Sequence, residues 1–335
     1  MIRKRLQPSL FIFGLVVALV ILGAFSLTVG YAPISFAESL ASLFRDPDSD
    51  RIALIVQAIR LPRLVVGILV GASLGMAGAA LQGLLRNPLA DPGVIGVSAS
   101  AGLGAVIAIY YGATTVSTYA VPGFAMVGAL ISTTLLYYLA RKDTSVMTLI
   151  LVGIGLSSLA GALTSLAMNL SHSPFTLSDM VLWLLGSLSN RSFTEVAMAL
   201  PFMVAGWICL LSNASALRGL SLGEETASTM GINLFRLRAM IVLGSALTVG
   251  AGVAVSGTIG FIGLIVPHVI RPFVGHDPAR LILPSALGGA LLLTLADIGV
   301  RLVPTDWELK IGVLTALIGS PFFLFLVIKT RREMR

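Results

Sequence analysis

Residues 9–29 read Ser9-Leu-Phe-Ile-Phe-Gly-Leu-Val-Val-Ala-Leu-Val-Ile-Leu-Gly-Ala-Phe-Ser-Leu-Thr-Val29, carry no charge, and follow the basic cluster Arg3-Lys4-Arg5. A helix rises about 1.5 Å per residue, so about 20 apolar residues cross the roughly 30 Å hydrocarbon core of a bilayer. The apolar part of a secretory signal peptide is shorter, roughly 7–15 residues. The run is read as a retained first membrane helix.

Runs of similar character recur at 62–85, 93–112, 119–140, 145–168, 194–212, 238–257, 259–274, 280–300 and 310–329. The seventh and eighth are separated only by Ser256-Gly257-Thr258. Segment 170–193 holds Trp183 between Pro174, Asp179, Asn190 and Arg191, and is read as a short interfacial or re-entrant helix on the outer side. Over the 335 residues, 56% are hydrophobic and 11% charged. Soluble domains carry about 25% charged residues, so a soluble fold is excluded. The 35 glycines fit helices that pack closely in a membrane. The expectation is an all-α polytopic membrane protein with about ten transmembrane helices, forming a single transmembrane domain over 1–335.

Lys and Arg set the orientation, because cytoplasmic loops retain an excess of them. An even number of spans puts both ends on one side, with Arg3, Lys4, Arg5, Arg141, Lys142 and the basic C-terminus. The opposite side holds Arg45, Arg51, Arg60, Arg63, Arg191 and Arg301, offset by acids such as Glu38, Asp46, Asp48 and Asp50. The first side is read as cytoplasmic, with both termini inside and the protein in the inner (plasma) membrane. The net charge of +7 lies in short clusters between apolar runs, which reads as an orientation signal and not as a nucleic-acid footprint. Two inner segments stand out. Residues 213–237 form the longest inner loop, with Gly223-Glu224-Glu225 and Met230-Gly231. Residues 86–93 read Arg-Asn-Pro-Leu-Ala-Asp-Pro-Gly. Local physics alone equally allows a solvated connector and a plain helix breaker.

Several chemistries have no support. No phosphate-binding Gly-x-x-x-x-Gly-Lys-Ser/Thr loop is present, so ATP is not bound in that manner. His172, His268 and His276 are widely separated and give no metal-ligand spacing; His268 is read as structural. The single cysteine, Cys209, lies in an apolar run and can form no intrachain disulfide. No catalytic site, metal or cofactor is expected. Ion-coupled carriers rely on ionisable groups deep in the bilayer. Asp297 is read as such a group, but near the outer end of its span, where it can pair with Arg301. An ion-coupled secondary transporter is the alternative from another class, and a channel stands third.

Four segments resemble the FecCD family of permeases. The first runs from Arg60-Leu-Pro-Arg63 through Gly71-Ala-Ser-Leu-Gly-Met-Ala-Gly78 and Gln82 to Asn87-Pro-Leu-Ala-Asp-Pro-Gly93 and Gly96-Val-Ser98. The second is Leu222-Gly-Glu224 with Met230-Gly231. The third is Gly260-Phe-Ile-Gly-Leu-Ile-Val-Pro-His268 with Arg271. The fourth is Leu295-Ala-Asp297 with Arg301, then Glu308-Leu-Lys-Ile-Gly312 and Gly319-Ser-Pro-Phe322. They occur in the family's order along nearly the whole chain. Lys310 and Ser320 stand where the family usually has Pro and often Ala.

The resemblance implies a type II ABC importer permease fold, with helices two to five and seven to ten as inverted repeats. It implies a second permease, identical or paralogous, two ATP-binding subunits that carry out hydrolysis, and one substrate-binding protein. The chain would not itself be an enzyme. It implies import of a ferric siderophore, with haem or cobalamin as alternatives. By the same resemblance Gly223, Glu224, Glu225, Met230 and Gly231 couple to the ATPase, where a carboxylate at a helix terminus can anchor to backbone donors. Arg60, Arg63 and Arg301 dock the binding protein. Asn87, Pro88 and Leu89 with Ser145, Val146 and Met147 form the cytoplasmic gate. Small and apolar side chains of the fifth and tenth spans line the pore.

Overall fold

The computed structural model describes residues 8–140, 146–303 and 308–333, with Pro8, Val146 and residues 329–333 as backbone only. Its α-helices are α1 Pro8–Ser26, α2 Phe36–Ala41, α3 Arg51–Leu54, α4 Leu61–Leu84, α5 Val97–Tyr110, α6 Ala120–Ala140, α7 Val146–Asn169, α8 Pro174–Leu184, α9 Phe193–Ser212, α10 Ala214–Leu220, α11 Glu224–Thr229, α12 Leu234–Ser256, α13 Ile262–Val274, α14 Pro278–Leu302 and α15 Ile311–Glu333. No strand occurs among the described residues. Among the described residues eight segments are long and apolar enough to cross a membrane, and α5 and α13 are shorter apolar helices. Together they match the ten expected runs. Segment 170–193 contains the short α8, too short to span, as read from its flanking polar residues.

Two boundaries differ from the sequence reading for clear reasons. The second run was expected to start at Pro62, yet one continuous helix covers Arg51–Leu84. Asp50 starts it by accepting from the Ile52 and Ala53 amides. Pro62 has no N–H, and its ring crowds the carbonyl four residues back. A π-helical turn, Ile55–Arg60, widens the helix just before it, with Leu61 N–H donating to Val56 O. The third run was expected from residue 93, but Pro92–Ile95 forms a separate 3-10 turn ending at Gly96, φ 82°. Helix α5 starts only at Val97.

Helix α4 forms the centre, against α14, α12, α13 and α9. Lipid tails offer no hydrophobic drive between helices, so contact depends on close packing. Gly71 and Gly75 of α4 meet Ser285 and Gly289 of α14 backbone to backbone, and a Cβ at any of the three glycines would collide with the opposite main chain. The segments of α4 and α12 are 78% buried, against 17% for α7 and 22% for α15. Helices α7 and α15 therefore leave broad apolar faces uncovered, including Leu151, Leu159, Leu317 and Leu324. Cys209 is partly buried in α9 and packs beside Gly244 of α12, an apolar thiol as read.

Candidate functional site

The chain crosses back and forth, so functional groups collect at its two ends. One end carries Arg60, Arg63 and Arg301 and is called the Arg63 end. The other carries α10 and α11 and is called the Glu224 end.

At the Arg63 end the three arginines are brought together but turned inward. Arg63 donates from Nε and Nη2 to Asp297 Oδ1 at 2.9 and 2.7 Å, and Nη2 also reaches Glu308. Arg301 pairs with Asp297 Oδ2 at 2.9 Å and donates to the carbonyls of Ser26 and Val29. Arg60, 6% exposed, donates to the carbonyls of Leu27 and Ala32 at 2.7 and 2.6 Å. Arg60 and Arg301 thus fasten the end of α1 and the connection after it to the start of α4 and to α14, while Arg63 ties α4 to α14 and to Glu308. In the chain alone each of the three, expected to dock the binding protein, donates to internal acceptors. The pairing of Asp297 with Arg301 follows from their i, i+4 spacing. Its pairing with Arg63, 234 residues away, leaves no signal in a single sequence. Burial disfavours the Glu308 carboxylate, but the Arg63 hydrogen bond and charge outweigh this and hold its pKa below the ordinary value.

At the Glu224 end, Gly223 takes φ 113° and starts α11. Ala227 is buried and fixes the short helix, while Glu224, Glu225, Met230 and Gly231 are exposed. Glu224 accepts from Arg238 Nη2 of α12 at 2.7 Å. Its anchor is the guanidinium of Arg238, a residue 8% exposed. Leu222 and Met230 are 64% and 60% exposed, an apolar pair beside two acids.

The connection between α4 and α5 is an ordered turn. Leu89 N–H donates to Asn87 Oδ1 at 2.9 Å, and Gly93 N–H to Asp91 Oδ1 at 2.8 Å. Desolvation raises the pKa of Asp91. Asn87 and Pro88 line a polar pocket with Gln82 and Arg271. Met147, of the other expected gate segment, is exposed at the start of α7. Ser145 lies outside the described residues, and Val146 is described only as backbone. The Pro92–Ile95 turn packs on α7, where Ser157 Oγ donates to Gly93 O.

A cavity of about 690 Å³ lies between the end of α8, the turn before α13, and α15. Leu184, Thr258, Gly260, Gly312, Ala316 and Ser320 are among its lining residues, none of which is charged. Gly312 approaches the Leu185 and Thr258 carbonyls so closely that a Cβ would collide with them. His268 sits edge-on to Phe322 of α15, ring centres 6.0 Å apart, a packing role as read. Among the described residues no cluster of His, Cys, Asp and Glu could hold a metal.

Comparison with known proteins places this geometry. A hemin transport system permease of Yersinia pestis is 36% identical over 98% of this chain and 98% of its own length. A cobalamin import system permease of Halobacterium salinarum is 40% identical over 92% of this chain and 80% of its own. An ABC transporter permease of Bacillus subtilis, YvrB, is 41% identical over 84% and 80%. A solved structure described as an inward-facing conformation of a metal-chelate type ABC transporter superposes with a TM-score of 0.84 at 34% identity, covering 96% of this chain and all of that one. The architecture is therefore that of a type II ABC importer permease, integral to the inner membrane. The FecCD transport family matches residues 18–329. With relatives at this identity along almost its full length, the chain belongs to the FecCD transport family.

Proposed function

We propose that this chain is the permease subunit of an ATP-driven importer that carries a metal chelate, a ferric siderophore first, with haem or cobalamin as alternatives. The observation that carries this reading is the uncharged cavity of about 690 Å³ against α15. A bulky chelate passes where no charge holds it, since transport requires binding weak enough to release. The uncovered faces of α7 and α15 support a second permease, identical or paralogous, completing the path. The exposed α11, with Leu222 and Met230 beside Glu224 and Glu225, suits a groove on an ATP-binding subunit that hydrolyses ATP. The gate residues Asn87, Pro88, Leu89, Ser145, Val146 and Met147 would close the path at the Glu224 end, read as cytoplasmic. Arg60, Arg63 and Arg301 would shape the mouth on which a substrate-binding protein docks, as struts of that rim.

The test is uptake into proteoliposomes holding the permease, its ATPase and its binding protein. Ferric siderophore, haem and cobalamin are offered separately. Accumulation should require internal ATP and one of these ligands on the binding protein. Uptake by the permease alone along an ion gradient would favour a secondary carrier. ATP-driven uptake of cobalamin or haem without siderophore would retain the importer and change the cargo.

A further inference from the structure

A second pocket, of about 210 Å³, lies at the Glu224 end between the ends of α4 and α13 and the start of α14. Gln82, Arg86, Ser221, Arg271 and His276 line it, with no acidic residue among the lining side chains. Arg271 is partly buried, and its Nη2 donates to neutral Gln82 Oε1 at 2.5 Å. The Gln82 amide nitrogen lies within hydrogen-bonding distance of the Ala90, Gly263 and Leu264 carbonyls, which holds this pair in place. Arg86 and His276 are exposed, and both take the left-handed backbone that side chains seldom adopt, at φ 48° and 63°. None of the three basic residues has an ion-pair partner among the described residues. The acid next to them, Asp277, is already engaged by Arg218 at 2.9 Å and Arg280 at 3.5 Å, and it caps α14 through the Ala279 amide. A charge withdrawn from water without a counter-charge is costly, and an anion in the pocket would relieve that cost.

We propose that this pocket binds a phosphoryl group, with Arg271 at its base and Arg86 and His276 at its mouth. A guanidinium presents a planar fork of donors that matches phosphate oxygens, and Gln82 leaves most of the Arg271 donors available. The pocket sits where membrane helices end, and basic pockets between helix ends suit lipid headgroups. A phospholipid headgroup and a free phosphate share this chemistry.

The test uses the intact importer in phosphatidylcholine nanodiscs. Phosphatidylglycerol is titrated in one arm and inorganic phosphate in the other. Native mass spectrometry counts bound anions, and thermal unfolding reports their effect. In the parent, phosphatidylglycerol should be retained and should raise the melting temperature. The Arg86→Gln/Arg271→Gln variant should bind it about thirtyfold more weakly, at about fivefold per charge removed. Binding of inorganic phosphate with the same variant sensitivity would support the pocket and assign a soluble source. Should the double variant fail to fold, Arg86→Gln alone keeps the Gln82–Arg271 bond and should weaken binding about fivefold. No binding of either anion, or binding that neither variant changes, overturns the proposal.

Discussion

Asp297 shows how one residue can set a local structure. It is 3% exposed and receives two guanidinium groups, one from its own helix and one from α4. Removing one member of a buried ion pair leaves the others uncompensated, at a typical cost of about 3–5 kcal/mol. Asp297→Ala should therefore lose about that much stability, read as a lower melting temperature and weaker membrane accumulation. A melting temperature equal to the parent's would show that the cluster contributes little. Glu308 gives the same cluster a pH signature. Its folded pKa is lowered, so its contribution is present above its unfolded pKa and fades as pH falls through the folded one. The stability gap between the parent and Glu308→Gln should be full at neutral pH and shrink on acidification; a gap that grows would contradict this sign. The arginines of this cluster were legible as functional types from the motifs that hold them, and the Asp297–Arg301 pair from its spacing, but the Arg63 partners were not. A contact between α4 and α14 depends on how helices fold back, which spacing along a single chain does not encode.

At the scale of elements, α11 has six residues and gains its place from outside itself. Ala227 buries one side, and the Glu224–Arg238 pair ties its first turn to α12. A movement imposed on α11 by a partner would thus reach a membrane helix through one charged contact. Glu224→Arg would set two guanidinium groups against each other at that contact. The expected result is normal membrane insertion with ATPase co-purification and ATP-driven uptake both reduced about tenfold or more, since like charges at an interface cost several kcal/mol. Unchanged assembly and uptake would remove α11 from coupling. The existence of the long helices was legible, because runs of spanning length have few other uses. Their edges were less so. Pro62 looked like a helix start until a π turn accommodated it, and residues 93–95 looked like the start of a span until the 3-10 turn that begins at Pro92 separated them. Proline marks a local irregularity, and packing decides whether the helix continues through it.

For the molecule as a whole, the orientation rests on where Lys and Arg fall. Alternate crossing of the ten apolar helices puts the loop holding Asp48 and the loop holding Glu225 at opposite ends. Arg218, Arg236 and Arg280 lie at the Glu225 end. Near Asp48, Arg45 is paired with Asp50 at 3.0 Å, so that loop presents little net positive charge. The asymmetry favours retention of the Glu225 end in the cytoplasm. Cys209 is the only cysteine, so Cys209→Ser provides a background for site-specific labelling. Asp48 and Glu225 are both exposed, and a cysteine at either should react readily once reagent reaches it. In intact cells, an impermeant maleimide should label Asp48→Cys and spare Glu225→Cys; opening the membrane should expose the second without changing the first. Labelling of both before opening would indicate leaky cells, which a cytosolic thiol protein in the same sample would reveal. The reverse pattern would invert the whole molecule. The uncharged cavity and the arginine struts would then face the cytoplasm, and α11 would lie where no ATP-binding subunit can reach it.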